Sequence, residues 1–159
     1  MFRWMTGIAV GAALLIFAVG CGGGSGGEST TEVTKAEFTK QANVICAEGK
    51  EKRSAAYDDY SKEIRAKIGI SKRDPKYERA QANKMIAETV IPSLETQRNQ
   101  LEELDAPASD EAQISKMLNS LSKAAVELEN GGIRKLISGG KLLNFQEEAE
   151  SYGLTCDVY

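Results

Sequence analysis

Apolar residues recur every three or four positions along most of the chain, a spacing that is typical of amphipathic helices. The first helix is predicted to begin after Thr34, which forms a capping box with Glu37, and to end at Gly69. A second helix is predicted from Asp74-Pro75, an N-cap followed by the proline favoured at the first helical position. Pro92 lies inside this second helix and should kink it, because proline cannot donate a backbone hydrogen bond.

Two further helices complete the pattern. Ser109 or Asp110 caps the third, which ends at Asn130-Gly131-Gly132, and the fourth runs from Ile133 to Tyr152. Gly139-Gly140 weakens the fourth helix and offers a point at which it can divide in two. No segment shows the regular alternation that predicts a strand, so the pattern indicates an all-α domain.

The N-terminal segment has the features of a secretory signal. Arg3 supplies a positive charge, and about a dozen apolar or small residues follow, which are too few for a bilayer span. The run Ala18-Val19-Gly20-Cys21 resembles a bacterial lipobox, with Ala18 in place of the usual leucine. We therefore expect cleavage before Cys21 and its lipidation. The alternative is an ordinary secreted protein in which Cys21 is incidental.

Lipidation would determine where the mature protein resides. Two acyl chains on Cys21 would anchor it stably to a membrane, whereas a single chain would be marginal. The glycine- and serine-rich stretch that follows should behave as a flexible tether. We thus expect a signal peptide (1–20), a lipidated cysteine with its tether (21–33) and a helical domain (34–159) at the extracytoplasmic face of a bacterial membrane.

Two cysteines, Cys46 and Cys156, remain in the helical domain. In an extracytoplasmic compartment such a pair favours a disulfide, and the alternative is two buried thiols. The bridge would join the first helix to the end of the last, which an antiparallel array permits only with an even helix count. This favours an up-down four-helix bundle. The first two helices are predicted to be the longer pair, and we expect their surplus length at the bridged base, covered by residues 154–159.

Composition narrows the possible functions. The chain has 159 residues with 20 Lys+Arg against 23 Asp+Glu, and a net charge of -3 is not typical of a nucleic-acid-binding protein. It contains no histidine, which excludes Ser-His-Asp and Cys-His catalysis and every histidine-bearing metal site. We expect no enzyme activity, no metal, no nucleic-acid partner and no cofactor beyond the lipid on Cys21.

Aromatic and basic side chains near the turn between the first two helices are candidates for contact with a partner. Tyr57 and Tyr60 lie toward the far end of the first helix and can form an aromatic patch. Lys72, Arg73 and Lys76 form a short basic run beside them. The alternatives are that the tyrosines only pack between the two helices and that the basic turn is simply solvated.

Acidic residues cluster at 58–59, 102–105 and 147–150. Paired carboxylates can perform acid–base catalysis or bind Ca²⁺. These clusters avoid the apolar stripes, and no EF-hand pattern is present, so solvated helix faces are the favoured interpretation.

A resemblance to a known family rests on the two ends of the domain. The segments Lys35-Ala36-Glu37-Phe38 with 41–46, and Tyr152-Gly153-Leu154-Thr155-Cys156, resemble those of small, mostly uncharacterised actinobacterial-type cell-envelope lipoproteins. In that family one cysteine lies on the opening helix and the other in a Tyr-Gly-hydrophobic ending. The resemblance implies the disulfide and the envelope location, and it implies no activity.

The function expected from these features is a non-enzymatic binding or structural role at the cell envelope, with a possible envelope protein partner. One alternative is a carrier that holds a small apolar or cationic molecule between its helices, and another is a hydrolase that uses carboxylates alone. A hollow near Gly139-Gly140 would favour the carrier. A converging carboxylate pair would favour the enzyme, and a filled core with an exposed patch would favour the partner-binding module.

Overall fold

The computed structural model describes residues 32–68 and 74–157 of the chain. These residues are helical, and no strand occurs among them. They form six α-helices: α1 (Lys35–Ile68), α2 (Pro75–Met85), α3 (Ile91–Glu102), α4 (Glu111–Gly131), α5 (Ile133–Ser138) and α6 (Gly140–Tyr152). Within the described ranges, no helix is long and apolar enough to cross a membrane.

The predicted N-terminal caps of the first two helices are confirmed. The backbone N–H of Glu37 donates to Oγ1 of Thr34 at 3.2 Å, and the N–H of Thr34 donates to the Glu37 carboxylate at 3.0 Å. Asp74 accepts hydrogen bonds from the backbone N–H groups of Lys76 and Tyr77 at the start of α2. Each cap satisfies N–H groups that have no partner inside the helix.

The second predicted helix is continuous but irregular in its middle. A π-helical turn, Ile86–Val90, joins α2 directly to α3, and the N–H of Ile91 bonds to the carbonyl of Ile86, five residues earlier. Pro92 follows as the second residue of α3. The structure therefore accommodates the proline with a wider turn just before it.

The fourth predicted helix is divided in two. Gly139 has a φ of 75° and interrupts the run between α5 and α6, so the weak point at Gly139-Gly140 is a break. Because α2 and α3 are continuous, the described residues contain five continuous helices where the sequence predicted four.

The core lies between the base half of α1, α3, α4 and α6. Most of the apolar stripe residues predicted from the sequence are buried there: Phe38, Ala42, Ile86, Val90, Leu94, Leu101, Ile114, Leu118, Leu121, Ala125, Leu128, Leu142, Phe145 and Ala149. The apolar periodicity of the fourth predicted helix also places Ile137 among the buried positions. This prediction was wrong, because Ile137 is 80% exposed on a helix that has no buried residue.

The predicted disulfide between Cys46 and Cys156 is present and spans 110 residues of sequence. The residues after α6 run along α1 in the direction of its axis. Tyr152 packs edge-on against Phe38 with ring centroids 5.7 Å apart, and Asp157 forms an ion pair with Lys50. The five steps from Tyr152 to Asp157 cover about 17 Å in an extended chain, and residues 38 and 50 of a helix are roughly 18 Å apart. The two lengths agree, as expected for a tail that follows α1.

The surplus length of the α1–α2 hairpin lies at its far end. Arg53 is the last residue of α1 that is described as buried, and about 22 Å of helix continue beyond it to Ile68. On α2 only Ala82 is buried. The expectation that the extra length of the first two helices lies at the base was therefore wrong. Helices α4 to α6 cover the base, and the described part of the tail packs beside it.

Candidate functional site

An apolar groove of about 510 Å³ lies where α1, the end of α2 with the π-helical turn, and α5 meet. We call it the α5 groove. It is lined by Arg53, Ser54, Tyr57, Asp58, Met85, Val90, Ile133, Leu136 and Ile137. Its volume falls in the range of roughly 300–1,000 Å³ that is usual for small-molecule sites.

One wall of the groove is the six-residue helix α5, which has no buried residue. Its ends are fixed by side chains from two other helices. At the start, Oδ1 of Asn83 on α2 accepts the backbone N–H of Ile133 at 3.0 Å. At the end, Glu127 on α4 accepts the backbone N–H of Lys141 at 2.7 Å and pairs with Lys135 at 3.0 Å. These contacts hold α5 beside the groove although its own side chains bury little.

Glycines make both attachments possible. Gly132 has a φ of 56°, and a Cβ at this position would collide with Oδ1 of Asn83. Gly140 has a φ of 39°, and a Cβ there would collide with Oε2 of Glu127. Since other residues rarely adopt these angles, the sequence places glycine where the backbone must both turn and approach a neighbouring side chain.

The floor of the groove carries a buried guanidinium. Arg53 is 5% exposed, and its Nη1 donates to Oε1 of Gln97 at 2.9 Å and to Oγ of Ser93 at 3.3 Å. Its Nη2 donates to the carbonyl of Asp157 at 3.2 Å. Burial lowers the pKa of Arg53 to about 10, which leaves the side chain charged at neutral pH.

This guanidinium belongs to a polar network inside the core. Ser93 donates to the carbonyl of Gly49, and Nε2 of Gln97 contacts Sγ of Cys46 at 3.4 Å. The network thus connects the floor of the groove to α3, to the disulfide and to the tail. It orders that floor, because each buried polar group has a defined partner.

The rim of the groove is open and aromatic. Tyr57 is 59% exposed and lies beside Tyr60, with ring centroids 6.2 Å apart. Across from them, Ile137 is the most exposed of the large apolar side chains described. The two most exposed large apolar side chains of the described residues therefore line one concave site, as is typical of a binding surface.

The residues predicted to contact a partner do not all lie at the α5 groove. Tyr57 lines the α5 groove, whereas the hydroxyl of Tyr60 donates to the carbonyl of Glu78 on α2 at 3.4 Å. Burial, followed by the charge of Glu78, raises the pKa of Tyr60. Tyr60 therefore contacts α2, the other helix of the hairpin. This agrees with the alternative interpretation, in which the tyrosines pack between the two helices. Lys76 is exposed at the start of α2 and does not line the groove.

Three predicted site residues, Cys21, Lys72 and Arg73, lie outside the described residues, as do the signal peptide and most of the tether.

The acidic clusters contain ion pairs with basic residues. Asp59 pairs with Lys62 at 3.1 Å, Glu102 with Arg98 at 2.9 Å, and Glu148 with Lys116 at 3.3 Å. The first two pairs lie within one helix, at spacings that bring side chains together on its surface. Among the described residues, no group of His, Cys, Asp or Glu is arranged to hold a metal ion.

Most of the residues that shape the groove were not predicted from the sequence. Arg53 follows Gly49 by four residues and so continues the apolar stripe of α1, a signal that could have indicated its burial. Met85, Asn83 and Glu127 carried no comparable signal, because their roles depend on where α5 lies.

Comparison with known protein families, with curated proteins and with solved structures finds no match for this chain.

Proposed function

We propose that this protein is a non-enzymatic binding module of the cell envelope, and that it holds a small apolar molecule in the α5 groove. The observation that carries the proposal is the groove itself. Its lining includes Ile137, which lies two residues before Gly139-Gly140 in the sequence. A hollow at this place favours a carrier over a purely structural module.

The apolar lining supports a small ligand with an apolar body. Leu136 and Ile133 pack partly against the core, while Ile137 remains 80% exposed on the outer edge. Covering such side chains contributes about 25 cal/mol for each Å² of apolar surface removed from water. Met85 adds a flexible thioether side chain that can adapt to the shape of a ligand.

Anchoring by lipid on Cys21 and an extracytoplasmic location are parts of the same proposal. They are supported by the order of signal, lipobox and tether in the sequence. The disulfide between Cys46 and Cys156 is consistent with an oxidising compartment. Cys21→Ser should leave the protein unacylated and either released or retained as precursor. Unchanged membrane retention of a processed Cys21→Ser protein would contradict the anchor.

Ligand binding can be tested with n-decyl glucoside, a neutral amphiphile, by calorimetric titration. The chain from residue 22 onward retains every described contact and serves as the protein, with the disulfide verified by peptide mapping. Ile137→Asp should weaken binding at least about tenfold, because a carboxylate would enter the apolar wall. Val126→Asp is the matched control, since Val126 is also exposed, at 56%, but does not line the groove.

The results of this titration distinguish a ligand in the α5 groove from a protein partner on the surface. Saturable binding that Ile137→Asp weakens and Val126→Asp preserves would support the proposal. Absence of binding, or equal weakening by both variants, would contradict it, and an exposed surface for a protein partner would then be the better account.

A further inference from the structure

Among the described residues, two charged side chains line the α5 groove, Arg53 and Asp58, and they differ in what they contact. Both Nη1 hydrogens of Arg53 are directed to Ser93 and Gln97 on α3. Its Nη2 reaches the carbonyl of Asp157 on the tail. The guanidinium therefore serves the internal network of the protein.

Asp58 differs from Arg53 in both its exposure and its contacts. It is exposed, and within residues 32–68 and 74–157 it forms no hydrogen bond or ion pair. The neighbouring Lys62 is occupied by Asp59. Asp58 lies five residues after Arg53, or about 7.5 Å further along the α1 axis. Asp58 is therefore the exposed charge of the groove, whereas the charge of Arg53 is buried.

The same helix also contributes an aromatic ring to the groove. Tyr57 lines the same groove and exposes 59% of its surface, in contact range of Tyr60. The face of a tyrosine ring attracts a cation within about 6 Å of its centre. An aromatic ring and a free carboxylate that line one groove together favour an ammonium group over a neutral or anionic one.

We propose that the ligand of the α5 groove is an amphiphilic cation, whose ammonium group lies between the Tyr57 ring and the Asp58 carboxylate. Its apolar body then lies along Met85 and α5. This inference rests on the proposed function, which requires only that the groove binds an apolar molecule.

Three probes with the same alkyl chain test the inference: n-decyltrimethylammonium, n-decyl glucoside and n-decyl sulfate, each titrated below its micellar concentration. The cation should bind about tenfold more tightly than the neutral probe, which corresponds to about 1.4 kcal/mol. The sulfate should bind more weakly than the neutral probe. Raising the salt concentration should reduce the preference for the cation, because exposed charges are screened.

Adjacent aspartates provide a matched pair of variants. Asp58→Asn should reduce the preference for the cation to about twofold, the share left to the aromatic face. Asp59→Asn combined with Lys62→Gln should leave the preference unchanged, because neither residue lines the groove and the second substitution prevents Lys62 from pairing with Asp58. These substitutions lie on an exposed helix face, so the fold should be unaffected.

Equal binding of the cationic and neutral probes would overturn the inference while leaving the proposed function in place. Tighter binding of the sulfate, or an unchanged cation preference in Asp58→Asn, would also overturn it. Absence of binding by all three probes would overturn the proposed function together with the inference.

Discussion

Glu127 on α4 accepts a hydrogen bond from the backbone N–H of Lys141 at 2.7 Å, and this contact fixes the first turn of α6. The same carboxylate pairs with Lys135 on α5 at 3.0 Å. One side chain therefore determines where α5 ends and α6 begins. Since α5 is a wall of the groove, the shape of the site depends on Glu127, which does not itself line it.

The Glu127 contact predicts a response to acid. The hydrogen bond from Lys141, followed by that from Lys135, lowers the pKa of Glu127 below its ordinary value. Its contribution to stability is therefore complete above the ordinary glutamate pKa and is lost as the pH falls through the lower, folded-state pKa. In an acid titration, the amide resonance of Lys141 should shift with a midpoint below about 4.3, the value for a free glutamate.

Glu127→Gln removes the titrating group and is the control for that titration. The acid-dependent shift of the Lys141 amide should disappear in this variant. A shift that persists, or a midpoint at or above the ordinary glutamate value, would show that Glu127 does not control this joint.

Gly140→Ala should destabilise the protein more than Gly153→Ala. Both glycines have a positive φ, 39° and 103°, so alanine costs about 1–2 kcal/mol at each. Only at Gly140 would the new Cβ also collide with the Glu127 carboxylate, whereas at Gly153 no atom lies within 4 Å. Urea denaturation measures both losses, and equal losses would contradict the close approach of Glu127.

Gln97→Leu should lower the free energy of unfolding by about 1.5–3 kcal/mol. Gln97 is 1% exposed, and leucine would leave the Arg53 guanidinium without its 2.9 Å acceptor. Gln113→Leu on the exposed face of α4 should change stability by less than about 0.5 kcal/mol. Equal effects in chemical denaturation would mean that the buried network does not stabilise the fold.

Loss of the disulfide should be the largest single destabilisation. The bridge closes a loop of 110 residues, for which the chain-entropy model gives about 4–5 kcal/mol. The double variant Cys46→Ala/Cys156→Ala, compared with the oxidised protein in urea, measures this difference. Two alkylatable thiols in freshly isolated native protein would show that the bridge does not form.

Local chemistry explains which parts of the fold could be predicted from sequence. The Thr34 and Asp74 caps depend on residues two or three positions away, so their sequence signals sufficed. Asp110 shows where such signals mislead. Its side chain makes no cap, because the carboxylate accepts a hydrogen bond from the Tyr152 hydroxyl at 2.8 Å. That bond, from a residue 42 positions away, lowers the pKa of Asp110.

The groove could not be predicted because it depends on tertiary contacts. The periodicity placed Ile137 in the core, which would be correct if the helix from Ile133 continued straight through Gly139. The helix breaks at Gly139, and contacts with Asn83 and Glu127 hold the chain on either side of α5, a helix that has no buried residue and on which Ile137 is exposed. The sequence indicated a weak point, but the direction of α5 follows only from the partners of its two ends.

The most direct test of the α5 groove as the binding site is an intermolecular NOE measurement with n-decyl glucoside bound to the protein. The account predicts NOEs from the decyl methylenes to the side-chain methyls of Met85, Ile133 and Leu136. Val126 and Val44 should give none, since both are exposed but do not line the groove. NOEs to Val126 or Val44 in place of the groove methyls would contradict the account.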